Sequence, residues 1–386
     1  METDSLLFSF FLIFSGAALL STVALVFRQP LLVAYIALGV LLGPHGTSLV
    51  SEASLLSDIA EFGIIFLLFL LGLDMQPAKL LSTLKKTFLV TLISTGVFVM
   101  LGYGTGLLFG LTQLESLVIG ASMIFSSTII GIKLLPTTVL HQKHMGELMV
   151  GILLLQDFIA IFLLVFLDIN PDEEAHALAV VLAFPALMLI AWTSTRYLLL
   201  FLIARFDHFK EYIFLLAIGW CLGISALAAF MGLSAEIGAF VAGVSLATSP
   251  IAQYIAFSLK PLRDFFLILF FFSLGAQFNI ELLGEIIVPA LVLGALALTL
   301  KPVVFHYLLR RFEERNKLAW DAGLRLGQIS EFSLLIAYVA TQSRIIGEEA
   351  SLIIQAAAIM TFIASSYIVV MFCPTPISLN EKLRRD

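Results

Sequence analysis

Long apolar runs, interrupted by proline, glycine and clustered charge, are the first pattern along this chain of 386 residues. They divide into thirteen segments, near 5–27, 31–44, 57–74, 86–110, 114–137, 146–168, 176–204, 211–230, 233–248, 262–278, 284–309, 318–340 and 350–373. Such runs suit helices crossing ~30 Å of hydrocarbon, and they are far too long for the alternating strands of a barrel. The pattern predicts an all-α polytopic membrane protein with thirteen transmembrane helices. Several segments are short, as happens where helices pack inside a bundle or break at mid-membrane. The first run, Leu6 to Phe27, has no basic flank before it and exceeds a signal core, so it reads as a spanning helix.

Composition agrees. Hydrophobic residues make up 60% of the chain and charged residues 12%, about half the ~25% of soluble domains. Charge then sets orientation, because basic residues stay on the cytoplasmic side. With the N-terminus outside, 18 of the 21 Lys and Arg fall at or near that side. The exceptions are Arg344 in an outer loop and Lys301 and Arg325 within spans. One missed or invented helix would scramble this asymmetry. A multi-pass protein of the inner (plasma) membrane is expected, with the N-terminus outside and the C-terminus cytoplasmic. Cys221 and Cys373 lie in apolar segments, so neither a disulfide framework nor a thiolate metal site is implied. The six His lack ligand spacing. Without a phosphate-binding glycine loop, ATP-driven transport has no support. No catalytic residue, cofactor or nucleic-acid partner is expected, and the surrounding partner is the lipid bilayer.

An internal repeat runs through the chain. The stretch Phe62–Asp74 resembles Phe265–Gln277, and Ala37–Gly43 resembles Val241–Ala247, both at an offset of about 203 residues. Segments 1–6 therefore answer segments 8–13. This gives repeat one at 1–170, a linker helix at 175–204, repeat two at 210–376, and a short cytoplasmic tail at 377–386. Six helices plus one linker is an odd step, so the two copies are expected to be inverted in the membrane, as in secondary transporters.

Four features fall at membrane depth. Gln156 and Asp157 lie midway along segment 6, where an ionised Asp costs roughly 2.5–3.5 kcal/mol. Lys301 lies in segment 11. Phe125–Thr128 interrupts segment 5, and Gly327–Phe332 interrupts segment 12. Under the repeat, Ser127 answers Ser330 and Thr128 answers Glu331. Small and hydroxyl residues mark places where a spanning helix can unwind. Two such discontinuous helices would cross at the midplane and bring their partial charges together there. Lys301 and Glu331 are placed to compensate these ends, with Gln328 and Ser330 in support. Asp157 is then free to hold a proton or a cation, with oxygens from Gln156, Ser126, Ser127 and Thr128 as further ligands, since hard cations take oxygen. Empty, Asp157 is expected to pair with Lys301 until a cation displaces it. Singly, these features have ordinary explanations: lysines snorkel and buried hydroxyls glue helices together. Their symmetric placement favours a transport site. Glu61, Asp74, Glu236 and Asp264 read as helix-end charges. Asp321 and Arg325, one turn apart, read as an internal ion pair.

The motifs Gly39–Gly46, Glu61–Gly63, Phe69–Asp74, Ser126–Thr128, Leu155–Asp157, Gly238–Gly243, Phe271–Gly275 and Gly327–Phe332 together resemble the monovalent cation:proton antiporter-2 family. The nearest branch is the Kef-type potassium efflux systems. The resemblance covers nearly the whole chain, in order. It implies a sodium/hydrogen exchanger-type transmembrane domain over 1–376 and a homodimer. Helices 1–3 and 8–10 would form its scaffold, and helices 4–6 and 11–13 a core moving as an elevator. In that family the Asp157 position follows either Asp, typical of sodium exchangers, or Gln, as in Kef-type proteins. Gln156 therefore points to potassium:proton antiport, with sodium:proton antiport and a gated potassium channel of the same fold as alternatives. One site predicts one proton per cation, and exchange becomes electrogenic if Lys301 also cycles its proton. Kef-type proteins carry a cytoplasmic regulatory domain after the last helix. Any such domain or ancillary subunit lies outside this chain, and ligand gating is not inferred.

Overall fold

The computed structural model describes residues 2–27, 29–50, 53–74, 77–127, 131, 144–167, 174–206, 208–249 and 251–373. Among them every element is helical. In order these are α1 (Glu2–Val26), α2 (Leu31–Leu42), α3 (Ala53–Asp74), α4 (Pro77–Leu108), α5 (Gln113–Ser122) and α6 (His144–Leu167). After α7 (Glu174–Ser194) come a π-helical turn (Thr195–Leu199) and a last stretch Leu200–Arg205. Then follow α8 (Lys210–Phe230), α9 (Ala235–Ala247), α10 (Ala252–Ala276), α11 (Leu283–Arg311), α12 (Asn316–Arg325), α13 (Glu331–Gln342) and α14 (Glu348–Phe372).

Helix falls within each of the thirteen expected segments. Among the described residues, six helices are long and apolar enough to span a membrane: Leu7–Val26, Thr87–Leu108, Leu182–Arg205, Lys210–Phe230, Leu283–Arg311 and Glu348–Phe372. Four shorter apolar helices accompany them. The chain is thus a multi-pass membrane protein. Two expected helix starts move earlier, the first in α4, which begins at Pro77 where the pattern places it near 86. Helix α10 starts at Ala252 and runs through Pro261, where the sequence pattern places its start after the proline. Segment 12 is two helices, α12 and α13, with non-helical residues Leu326–Ser330 between them.

Helix packing repeats at the same spacing as the sequence. Helix α2 lies on α10, and α9 lies on α3. A Cβ on Gly39 would collide with the Phe272 carbonyl, and one on Gly243 with the Phe69 carbonyl. Under the repeat these are equivalent contacts: Phe272 answers Phe69, and Gly243 answers Gly39 to within one position. Helices α4 and α5 pack as α11 and α12 do. Beside Gly120 a Cβ would stand 2.5 Å from Val99 O, and beside Gly323 2.6 Å from Pro302 O. Gln113 and Asn316, which open α5 and α12, are equivalent positions of the repeat, as are Ser122 and Arg325, which close them. Only backbone fits at such separations, so these helix pairs approach without side chains between them, the usual way membrane helices gain packing area.

Local signals explain the starts of the short helices. Thr112 caps α5 in a capping box with Glu115, satisfying first-turn N–H groups from both directions. Ser330 caps α13, its hydroxyl accepting from Phe332 N–H at 3.2 Å. The Glu115 carboxylate also accepts from Gly347 N–H at 3.0 Å, so one acid serves the starts of both α5 and α14.

Candidate functional site

Helix α5 stops at Ser122, and Phe125–Ser127 are non-helical. Helix α12 stops at Arg325, and α13 starts only at Glu331. The two unwound stretches lie against each other. Ser126 Oγ donates to Leu326 O at 2.9 Å. Gln328 Nε2 donates to Ser127 O at 3.3 Å and to Arg325 O at 2.9 Å. Ser333 Oγ donates to Ser122 O at 2.7 Å. Three of these contacts, to Ser122 O, Arg325 O and Leu326 O, satisfy carbonyls at the ends of α5 and α12, which in a dry interior would otherwise cost several kcal/mol; Ser127 O also accepts from Gly131 N–H at 3.0 Å.

Lys301 comes from α11 and is fully buried. Its ammonium donates to Phe125 O and Gln328 O, both at 2.8 Å. These two carbonyls occupy the same position of the repeat, one in each unwound stretch. The helix carboxyl ends carry partial negative charge, and the lysine sits where two of them meet. The expected pairing of Lys301 with Asp157 is absent from this structure: no ion pair joins them among the described residues. The carbonyls provide a closer and already aligned partner.

Asp157 lies on α6 and is 4% exposed. Among the described residues, no donor is recorded for its carboxylate. Glu331, at the start of α13, is a like charge that acts on it. Gln156, also buried, turns its Oε1 toward the break and accepts from Ser126 N–H at 3.0 Å. That amide oxygen was expected as a cation ligand; one lone-pair direction is instead committed to the backbone. Gln156 Nε2 is buried and has no hydrogen-bond partner among the described residues. Ser126 and Ser127 are buried at the break, while Thr128 lies outside the described residues. Ser330 and Gln328 are buried in the unwound stretch between α12 and α13, and Ser330 Oγ makes a long 3.4 Å contact to Glu331 Oε2. Arg325 Nε stands 3.7 Å from Asp321 Oδ1, the one-turn pair read from the sequence.

The structure adds residues the sequence did not single out. From α14, Thr361 Oγ1 accepts from Ile329 N–H at 3.1 Å and Ser365 Oγ donates to Gln328 Oε1 at 3.1 Å. Phe98 of α4 places its ring 5.2 Å from the Lys301 ammonium. Hydroxyls in an apolar helix are visible in the sequence, but they look like any packing hydroxyl. Nothing there marks one Phe among 34.

Two unwound stretches thus meet beside a buried acid, with a lysine on their carbonyls, inside a multi-pass helical membrane protein. Residues 11–373 match the family described as sodium/hydrogen exchanger, transmembrane, and the chain belongs to it. It is a family of transporters and not of enzymes. Over 96% of its length the chain shares the fold of the sodium proton antiporter MjNhaP1 from Methanocaldococcus jannaschii, with a TM-score of 0.68, 15% identity and 96% of that chain covered. It is 29% identical over 366 residues to K(+) efflux antiporter 4 of Arabidopsis thaliana, covering 92% of this chain and 62% of that protein. Identity to the putative cation/proton antiporter YbaL of Escherichia coli is 27% over 373 residues, or 91% of this chain and 64% of that one. The iron transporter MagA of Paramagnetospirillum magneticum is 28% identical over 350 residues, 88% of this chain and 79% of that one. The chain thus spans less than two thirds of the potassium efflux antiporter and of YbaL. Its cation/proton antiporter relatives agree with the Kef-type resemblance in the sequence.

Proposed function

We propose that this chain exchanges potassium for protons, with Asp157 binding one or the other in turn. The observation that carries this reading is the division of labour at the crossing. Lys301 is occupied by Phe125 O and Gln328 O, so the negative helix ends have their cation and Asp157 does not. A buried carboxylate without a fixed counter-charge is stable only with a bound proton or cation. Crossing the membrane empty and charged is disfavoured, while crossing with either ion is neutral, and alternation of this kind is exchange. Oxygens of Ser126, Ser127 and Thr128 are the further ligands in this reading. The Gln156 side chain fixes the break through Ser126, and the position carries no second acid, which favours potassium over sodium. The potassium efflux antiporters among the relatives support that choice.

The remaining architecture belongs to the same proposal. Thirteen spans run from an outer N-terminus to a cytoplasmic C-terminus in the inner membrane. The repeats 1–170 and 210–376 are inverted about the crossing. Helices α4–α6 and α11–α14 move as an elevator core against α1–α3 and α8–α10, which form the scaffold of a homodimer. No resident cofactor or metal takes part; K+ and H+ are the substrates.

The test is proton flux in proteoliposomes under imposed K+, Na+ and Li+ gradients. Wild type should move protons against K+ in preference to Na+ and Li+, and Asp157→Asn should not. Undiminished K+-driven proton flux in Asp157→Asn would overturn the role of Asp157. Potassium flux without proton movement would indicate a channel.

A further inference from the structure

An ammonium has three N–H donors. In Lys301 two of them are given to Phe125 O and Gln328 O, each at 2.8 Å. Neither an ion pair nor a third hydrogen bond to this group is recorded among the described residues. What faces the remaining side is the Phe98 ring, 5.2 Å from the nitrogen. Both side chains are fully buried. Phe305, also fully buried, stands edge-on to Phe98 with centroids 5.3 Å apart and planes at 65°. That T-shaped contact is the favoured aromatic geometry and fixes the attitude of the Phe98 ring.

We propose that Phe98 is a positioning residue for the exchange: its ring face is the third partner of the Lys301 ammonium and holds it on the two carbonyls that tie the helix breaks together. An aliphatic wall would leave one side of a buried cation against hydrocarbon, which is costly. An aromatic face carries negative electrostatic potential and attracts a cation within about 6 Å, more strongly where water is excluded. The placement also follows the repeat. Phe98 and Lys301 are the same position in α4 and α11, one copy supplying a cation and the other the surface that receives it. The inference deepens the proposed function, since it assigns how Lys301 is kept at the crossing, and it rests on that reading only for its effect on transport.

The test replaces Phe98 in the full chain with mono-, di- and trifluorophenylalanine, which drain the ring face stepwise at nearly constant shape. Two quantities are measured: the melting temperature of the purified protein and K+-driven proton flux in proteoliposomes. Melting temperature should fall with each fluorine, and flux should fall with it, by roughly tenfold across the series. In a Lys301→Met background the fluorine dependence of melting should vanish; if that variant does not fold, the slope in the wild-type background decides. Phe98→Trp should retain flux and Phe98→Leu should lose it. A flat fluorine series overturns the proposal even if Phe98→Leu is unstable, because packing alone would then explain the residue. Melting does not depend on transport. A sloped melting series in a protein without K+-driven proton flux would therefore uphold the Phe98 contact and reject the exchange reading.

Discussion

The α4–α5 and α11–α12 pairs are built alike and charged differently. Both short helices are ten residues long, each is pressed on its long partner through a glycine, and each ends in an unwound stretch. Yet position 98 is an apolar ring and its equivalent, 301, is a lysine. The same holds one element further on, where Asp157 of α6 is answered under the repeat by Met360 of α14. Asp157 belongs to one copy and Lys301 to the other. The repeat therefore supplies the frame, two unwound stretches brought face to face, and the chemistry proposed above lies where the copies depart from each other.

This comparison can be broken, and the first place is the acid. Asp157→Asn should abolish cation-driven proton flux, a loss of at least about a hundredfold if the site is obligatory. Its counterpart change Met360→Leu should leave flux nearly intact and cost less than about 1.5 kcal/mol, as volume-conserving apolar swaps do. Flux measured for both variants, with equal amounts of folded protein, checks the pair. Comparable losses would mean that the copies do not differ here in the way proposed.

The lysine comes next. Lys301→Met leaves Phe125 O and Gln328 O buried without their donor. Hydrogen bonds to charged groups are worth about 1.5–3 kcal/mol each, so a large fall in melting temperature is expected. Lys301→Arg should recover part of it.

Gly120→Ala and Gly323→Ala probe what the copies share. Each added methyl meets backbone of the neighbouring helix, and overpacking of this kind costs about 1–3 kcal/mol. The two thermal shifts should be of similar size. A large shift in one and none in the other would show that the equivalent contacts do not carry equivalent load.

The smallest effect is at the rim. Glu115 serves α5 and α14 together, and Leu318, its counterpart in α12, offers no such carboxylate. Glu115→Ala should cost about 1 kcal/mol, the worth of a capping interaction. Slowed hydrogen exchange at the start of α14 in wild type, lost in the variant, would locate the effect at Gly347 N–H.

Much of this arrangement is legible in one dimension. Apolar runs mark the helices, because hydrocarbon admits little else. The internal repeat shows in the glycines near Gly39 and Gly243, whose packing tolerates no side chain. Hydroxyl-rich interruptions at Ser126–Ser127 and at Gly327–Ser330 mark the two breaks. A carboxylate in an apolar helix singles out Asp157, since so costly a group is retained only for a purpose. Lys301 stands out for the same reason, yet its partner does not. Opposite charges suggest Asp157, whereas the ammonium rests on two carbonyls that no sequence pattern displays.

What the sequence by itself determined, then, is which residues are too polar or too small for their surroundings, and so which helices exist, where two of them stop and which acid is the candidate. Only the tertiary structure decided how those residues are paired. Phe125 and Lys301 are separated by 176 positions, Ser126 and Leu326 by 200, and Phe98 reaches the same ammonium from a third helix. The physical reason is that burial cost belongs to each residue and can be read singly, while the direction of a hydrogen bond depends on backbone groups freed only where two distant helices unwind and meet.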